Sequence, residues 1–212
     1  MIRAVIREMR LLGGGLPLLS AALLAALVLL ARAAGDLLSL SFPAFETALP
    51  LFAAIAVGEW GKTRTDGCFD LAAAQSPRLF PWVLARYLAV MAVICPFALA
   101  GMAAVGLLRG EVPLWEVAAV SFPTVFFFSS LSAFLGLRLG REHAASLTCG
   151  VLWLAALLSR GFLRLPWVRY VYPFLRTAGE GGGVWPVNKA VMTILGLLLW
   201  ALTYRLSRRS FR

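Results

Sequence analysis

Six apolar runs take up most of this chain, and each is close to the length needed to cross a bilayer. They fall at about 16–34, 42–57, 82–108, 117–137, 144–159 and 188–204. The hydrocarbon of a bilayer is about 30 Å thick and a helix rises about 1.5 Å per residue, so a spanning helix needs about 20 mostly apolar residues. In lipid every backbone N–H and C=O must find its partner inside the protein, which makes such runs fold as helices. With 212 residues in all, little chain is left for a soluble domain. Composition agrees: 61% of the residues are hydrophobic and 14% charged, against about 45–50% and about 25% in soluble domains. The predicted fold is an all-α membrane protein, a single transmembrane domain over 1–212 with six transmembrane helices.

The net charge of +10 would suggest nucleic acid in a soluble protein. Here the basic residues flank the apolar runs and form no separate basic cluster, so the charge is read as a topology signal and no nucleic-acid partner is expected. Thirteen of the twenty Lys and Arg lie at the two termini, in the stretch 59–86 and in the turn near residue 140. The positive-inside rule then puts both termini in the cytosol, and the expected location is the bacterial inner (cytoplasmic) membrane, multi-pass. At the start of the chain, Ile2, Val5, Ile6 and Met9 recur at helical spacing with Arg3, Arg7 and Arg10 on the other side. That pattern predicts an amphipathic interfacial helix over 1–12, broken by Gly13, Gly14 and Gly15. The apolar stretch that follows is too long for a signal peptide and shows no small-residue cleavage site, so it is expected to be retained. Cys68, Cys95 and Cys149 lie far apart with no CxxC spacing, which points to neither a disulfide framework nor a zinc site.

Two segments interrupt the apolar pattern. Residues 160–187, GFLRLPWVRYVYPFLRTAGEGGGVWP within them, mix aromatics, Arg, Pro and Gly. They are too broken to span and too apolar for a free loop, and are predicted to be extracytoplasmic interfacial or re-entrant segments. The other interruption is 59–81, which begins the longest polar stretch of the chain. Asp66-Gly67 is a turn signal, and 67–75, GCFDLAAAQ, has helical potential with Asp66 as a suitable N-cap and Ser76-Pro77 as a stop. Phe69, Ala72 and Ala73 would share one face. The expectation is a short cytosolic helix in this loop, a knob that fits a groove on a soluble partner.

Catalytic signatures are missing. The sequence has no P-loop, no GxSxG and no HExxH, and its one histidine, His143, reads as a flank residue beside Arg141 and Glu142. No enzyme activity, no metal site and no cofactor is expected on this chain. Glu46 lies near one end of the second run, where it either lines a pathway or sits among headgroups. Ser129 and Ser130 on the fourth run either line a pathway or bond between helices. The sequence suggests no acid and base paired at membrane depth.

The polar stretch also carries a resemblance. A Glu ending the second run, then Gly-x-x-acidic-Leu, a Pro shortly after and a basic residue opening the third run are Glu59, Gly67, Asp70, Leu71, Pro77 and Arg86 here. This pattern, with the interfacial helix, six spans and a basic tail, resembles the type-2 ABC transporter permeases. The resemblance implies the membrane subunit of an ABC exporter: a dimer of permeases, homo- or heteromeric, working with a separate ABC-type ATP-binding subunit that holds ATP and Mg. It implies that Glu59, Asp66, Gly67, Phe69, Asp70, Leu71, Pro77 and Arg86 form the region that couples to that subunit. The rival expectation is a secondary transporter or channel-like protein with no ATPase partner, which would want inverted repeats or a charged midplane site.

Overall fold

A computed structural model describes residues 2–33, 44–64, 66–67, 79–109, 114–141, 143–179 and 183–209. Every regular element among them is helical. Helix α1 (Ile2–Leu11) carries the amphipathic pattern expected for 1–12. Its Ile2, Ile6 and Met9 are exposed while Glu8 is buried, so the apolar face is left for lipid and a single acid faces the protein. Gly13, at φ +65°, takes the left-handed conformation that only glycine adopts without cost. The chain turns there, and the pieces Ala4–Leu11 and Gly15–Leu29 lie at 77° to one another.

Helix α2 (Gly15–Ala33) follows. A π-helical turn, Ala44–Ala48, leads into α3 (Leu49–Trp60). Helices α4 (Phe80–Arg109) and α5 (Leu114–Leu139) run through Pro96 and Pro123 without ending. Helix α6 (Ala144–Leu158) tightens into a 3₁₀ stretch, Ser159–Arg164. The short α7 (Val168–Val171) precedes α8 (Trp185–Arg209). Among the described residues four helices are long and apolar enough to cross a membrane: Phe80–Leu107, Leu114–Leu139, Ala144–Arg164 and Trp185–Arg208, with a fifth if the bent α1–α2 pair counts as one.

The boundaries differ from the sequence expectation in instructive ways. Residues 42–57 were expected as a span, yet α3 runs on to Trp60 and takes in Glu59. The Gly61 N–H bonds to Val57 O at 3.0 Å and closes the last turn, so the polar character of Glu59 does not end the helix. Pro81 falls inside the first turn of α4 rather than before it, a position where its missing N–H is no loss. Residues 68–75 of the expected helix 67–75, with Phe69, Asp70 and Leu71 among them, lie outside the described residues, as does Pro77.

Helix α5 is the centre of the bundle, packed against α3, α4, α6 and α8. Of its central apolar window 56% is buried, against 11% for α6, which is the most exposed of the four. Small residues set the α3 contacts. Ala53, Ala54, Ala56 and Val57 are buried, and Ser132 on α5 donates to Ala54 O at 2.6 Å. A Cβ on Gly58 would collide with the Ser146 hydroxyl of α6. Such close backbone approach is how helices gain contact where lipid removes the hydrophobic drive for association.

Candidate functional site

Polar side chains gather at both ends of the bundle. One end holds α1, the C-terminus of α3, the start of α4 and the end of α8. Tyr204 and Trp200 of α8 pack edge-on against Phe80 there. Arg86, one and a half turns into α4, is the junction of this end. Its guanidinium pairs with Asp66, its Nε donates to Glu8 Oε2 at 3.2 Å, and its Nη1 donates to the Lys62 carbonyl. It also lies 4.1 Å over the Trp82 ring. A guanidinium offers five donors in a rigid fork, so a single side chain can tie three separate segments. Here those segments are α1, the chain at Lys62 and Asp66, and α4.

Glu59 forms the second polar contact of this end. Ser146 Oγ donates to its Oε1 at 2.6 Å, His143 Nδ1 lies 2.8 Å from its Oε2, and Lys62 Nζ is at 3.9 Å. Partial burial works to raise this carboxyl, but the Ser146 hydroxyl, His143 and Lys62 outweigh it and hold the group below its usual range. His143 takes a left-handed φ of 58° just before α6, which brings its ring back over the end of α3. Glu, His and Ser together invite comparison with a catalytic triad, but the wiring differs. The serine donates to the carboxylate, so no imidazole stands ready to take its proton. Among the described residues no group of three His, Cys, Asp or Glu is placed to hold a metal ion. Beside these contacts opens a cleft of about 640 Å³ that includes Glu8, Glu59, Trp60, Asp66 and Arg86 in its walls. Gly67 is exposed at its rim.

The opposite end is sealed. Glu46, in the π-helical turn, and Lys189, one turn into α8, are 0% and 3% exposed. Lys189 Nζ spends its three donors on Glu46 Oε1 at 2.6 Å, Thr124 Oγ1 at 2.9 Å and Pro173 O at 2.8 Å. The other lone pairs of Glu46 accept from the Arg176 N–H at 3.3 Å, the Thr177 N–H at 2.6 Å and Thr177 Oγ1 at 2.7 Å. Arg176 in turn pairs with Glu116 at the start of α5. Asn188 Nδ2 donates to Arg169 O and Tyr172 O at 2.9 and 2.8 Å. The expected interfacial segment therefore has two parts. Phe162, Leu165, Trp167 and Tyr170 are exposed, whereas Tyr172, Phe174 and Leu175 are buried. Phe174 stacks parallel on Phe128 of α5 with ring centres 6.0 Å apart.

The structure thus pairs Glu46 with a base that the sequence did not suggest. The available signal was Asn188-Lys189 at the head of the last apolar run, a position where a lysine reads as an ordinary flank. Ser129 and Ser130 are buried on α5. Ser129 meets Tyr87 OH of α4 at 3.1 Å and donates to Phe126 O at 3.2 Å, a helix-to-helix contact. No family model, curated protein or solved structure matches this chain.

Proposed function

We propose that this chain is the membrane-spanning permease subunit of an ATP-driven ABC exporter. ATP and Mg would sit on a separate ABC-type ATP-binding subunit, and a second permease copy would complete the dimer. The observation that carries this reading is the Arg86 junction. Lys62 and Asp66, just ahead of the proposed docking helix 67–75, are tied by one guanidinium to both α1 and α4. A partner that pulls on this loop moves two membrane-embedded elements at once, and differential contact with two partner conformations is what biases two membrane conformations. Glu59 extends the same linkage through His143 and Ser146 to α6.

Six spans belong to this reading; among the described residues four helices, or five with the bent α1–α2 pair, are long and apolar enough to cross. In this reading the second span runs through the π-helical turn and α3 as far as Val57, and Glu59 lies beyond it. With the Arg86 end in the cytosol of the bacterial inner membrane, both termini are cytosolic and Glu46–Lys189 faces outward. The exposed apolar face of α6, with Leu147, Val151 and Leu154, is available to the second copy.

Co-expression with the cognate ATP-binding subunit tests this. The two should co-purify, and Asp70→Lys with Leu71→Asp should abolish co-purification while insertion stays intact. Retained co-purification by that double variant overturns the docking assignment. A second reading, an ion-coupled transporter or channel, draws on the buried Glu46–Lys189 pair, since ionisable groups at membrane depth commonly mark ion pathways. Solute movement driven by an ion gradient through the purified chain alone would establish that reading and refute the first.

A further inference from the structure

We propose that the groove between the ends of α5 and α8 binds one anionic phospholipid. Its phosphate is held between Arg138 and Arg205, and an acyl chain lies along Phe134 and Leu202. This rests on the chain crossing a bilayer and does not depend on an ATPase partner.

The groove measures about 240 Å³ and is walled by Phe134, Arg138, Leu202, Arg205 and Leu206. Phe134 and Arg138 are four residues apart on α5, and Leu202 and Arg205 three apart on α8, so each helix offers an apolar residue with a guanidinium one turn nearer its end. Four cations of the interior and the ends are neutralised by carboxylates: Lys62 by Glu59, Arg86 by Asp66 and Glu8, Arg176 by Glu116, Lys189 by Glu46. Among the described residues Arg138 and Arg205 have none. Two guanidinium groups without an acid, from different helices and over one groove, match the tetrahedral phosphate geometry that guanidinium reads best. The apolar floor selects a lipid over a free anion. From Leu202 the exposed Leu198, one turn back along α8, extends the apolar track toward the membrane interior. Basic pockets between spanning helices, at headgroup level, are where anionic headgroups bind. The neighbouring Arg208 lies over the Tyr204 ring at 4.7 Å rather than in the groove wall.

The test is native mass spectrometry of the full chain released from nanodiscs of phosphatidylcholine with or without phosphatidylglycerol, read beside thermal midpoints in detergent. The wild type should retain one phosphatidylglycerol roughly tenfold more than phosphatidylcholine. R138Q/R205Q, and R205Q alone should the double variant express poorly, should erase that preference while melting normally in phosphatidylcholine. R141Q/R208Q removes the same charge from the same end and should leave the preference intact. Equal retention of both lipids by the wild type overturns the site. So does equal loss in the control double variant, which would mean diffuse charge attraction. Stabilisation by inorganic phosphate equal to that by phosphatidylglycerol would make this an anion site without lipid selection, and would also overturn the proposal.

Discussion

The two ends of the bundle use ion pairs in opposite ways. At the Glu46 end the acid and base are almost wholly withdrawn from water, and six hydrogen bonds account for all three lysine donors and both carboxylate oxygens. At the Arg86 end Glu8 is buried, but its neighbours keep contact with solvent: Arg86 is 15% exposed, Asp66 22% and Glu59 21%. They border an open cleft. Burying a charge costs several kcal/mol unless its partners are complete, so a sealed network has one stable geometry. Partly exposed pairs are weaker and screened, and they can be exchanged for water or for another protein's side chains. One end is built to stay as it is, and the other to respond.

The largest effect tests the sealed end. Lys189→Met should cost about 3–5 kcal/mol, because it strands the Glu46 carboxylate in an apolar setting. Glu46→Leu with Lys189→Met should recover most of that loss. Thermal unfolding in detergent would read both; a double variant as unstable as the single one would mean that the network does more than neutralise itself. Next is Gly58→Ala, which forces a methyl against the Ser146 hydroxyl and should destabilise by about 1–3 kcal/mol. Adding Ser146→Ala should relieve the clash, and a double-mutant cycle that shows simple additivity would refute the close α3–α6 contact.

At the open end Arg86→Gln should cost only about 1–2 kcal/mol after allowance for solvent screening. Its sharper consequence is a freed α1, seen as increased hydrogen exchange over residues 2–11; unchanged exchange there would remove the junction role. The smallest effect is in pH dependence. The Glu59 carboxyl is held below its usual range in the folded state, so its contribution is present above its unfolded value and is lost as pH falls through the lowered one. The acid limb of the stability curve below about pH 4.5 should therefore be shallower in Glu59→Gln. A Glu59→Gln curve parallel to the wild type would show that Ser146 and His143 do not stabilise the ionised form.

Much of the fold was legible because its causes are local. The amphipathic start, the break at Gly13 and the long apolar helices follow from spacing, from glycine's conformational freedom and from length. Glu59 and Arg86 stood out as polar residues at the ends of apolar runs. Their partners did not, because Glu8 is 78 residues from Arg86 and Ser146 is 87 from Glu59. His143 read as a flank residue since nothing in its neighbourhood foretells the left-handed turn that brings it to Glu59. The division inside 160–187 was hidden for a similar reason. An aromatic such as Phe174 is equally suited to a headgroup layer and to a core, and only the presence of Phe128 beside it decides.

Length and spacing along the chain dictate apolar helices of membrane length, a first helix with two unlike faces, and polar residues collected at helix ends. Those properties depend on hydrogen bonding within a segment and on side chains a turn apart. Which charges meet is settled by packing between distant segments. Glu46 and Lys189 are 143 residues apart, and a buried acid becomes tolerable only when the packing of α3, α5, α8 and residues 173–177 delivers every one of its partners together.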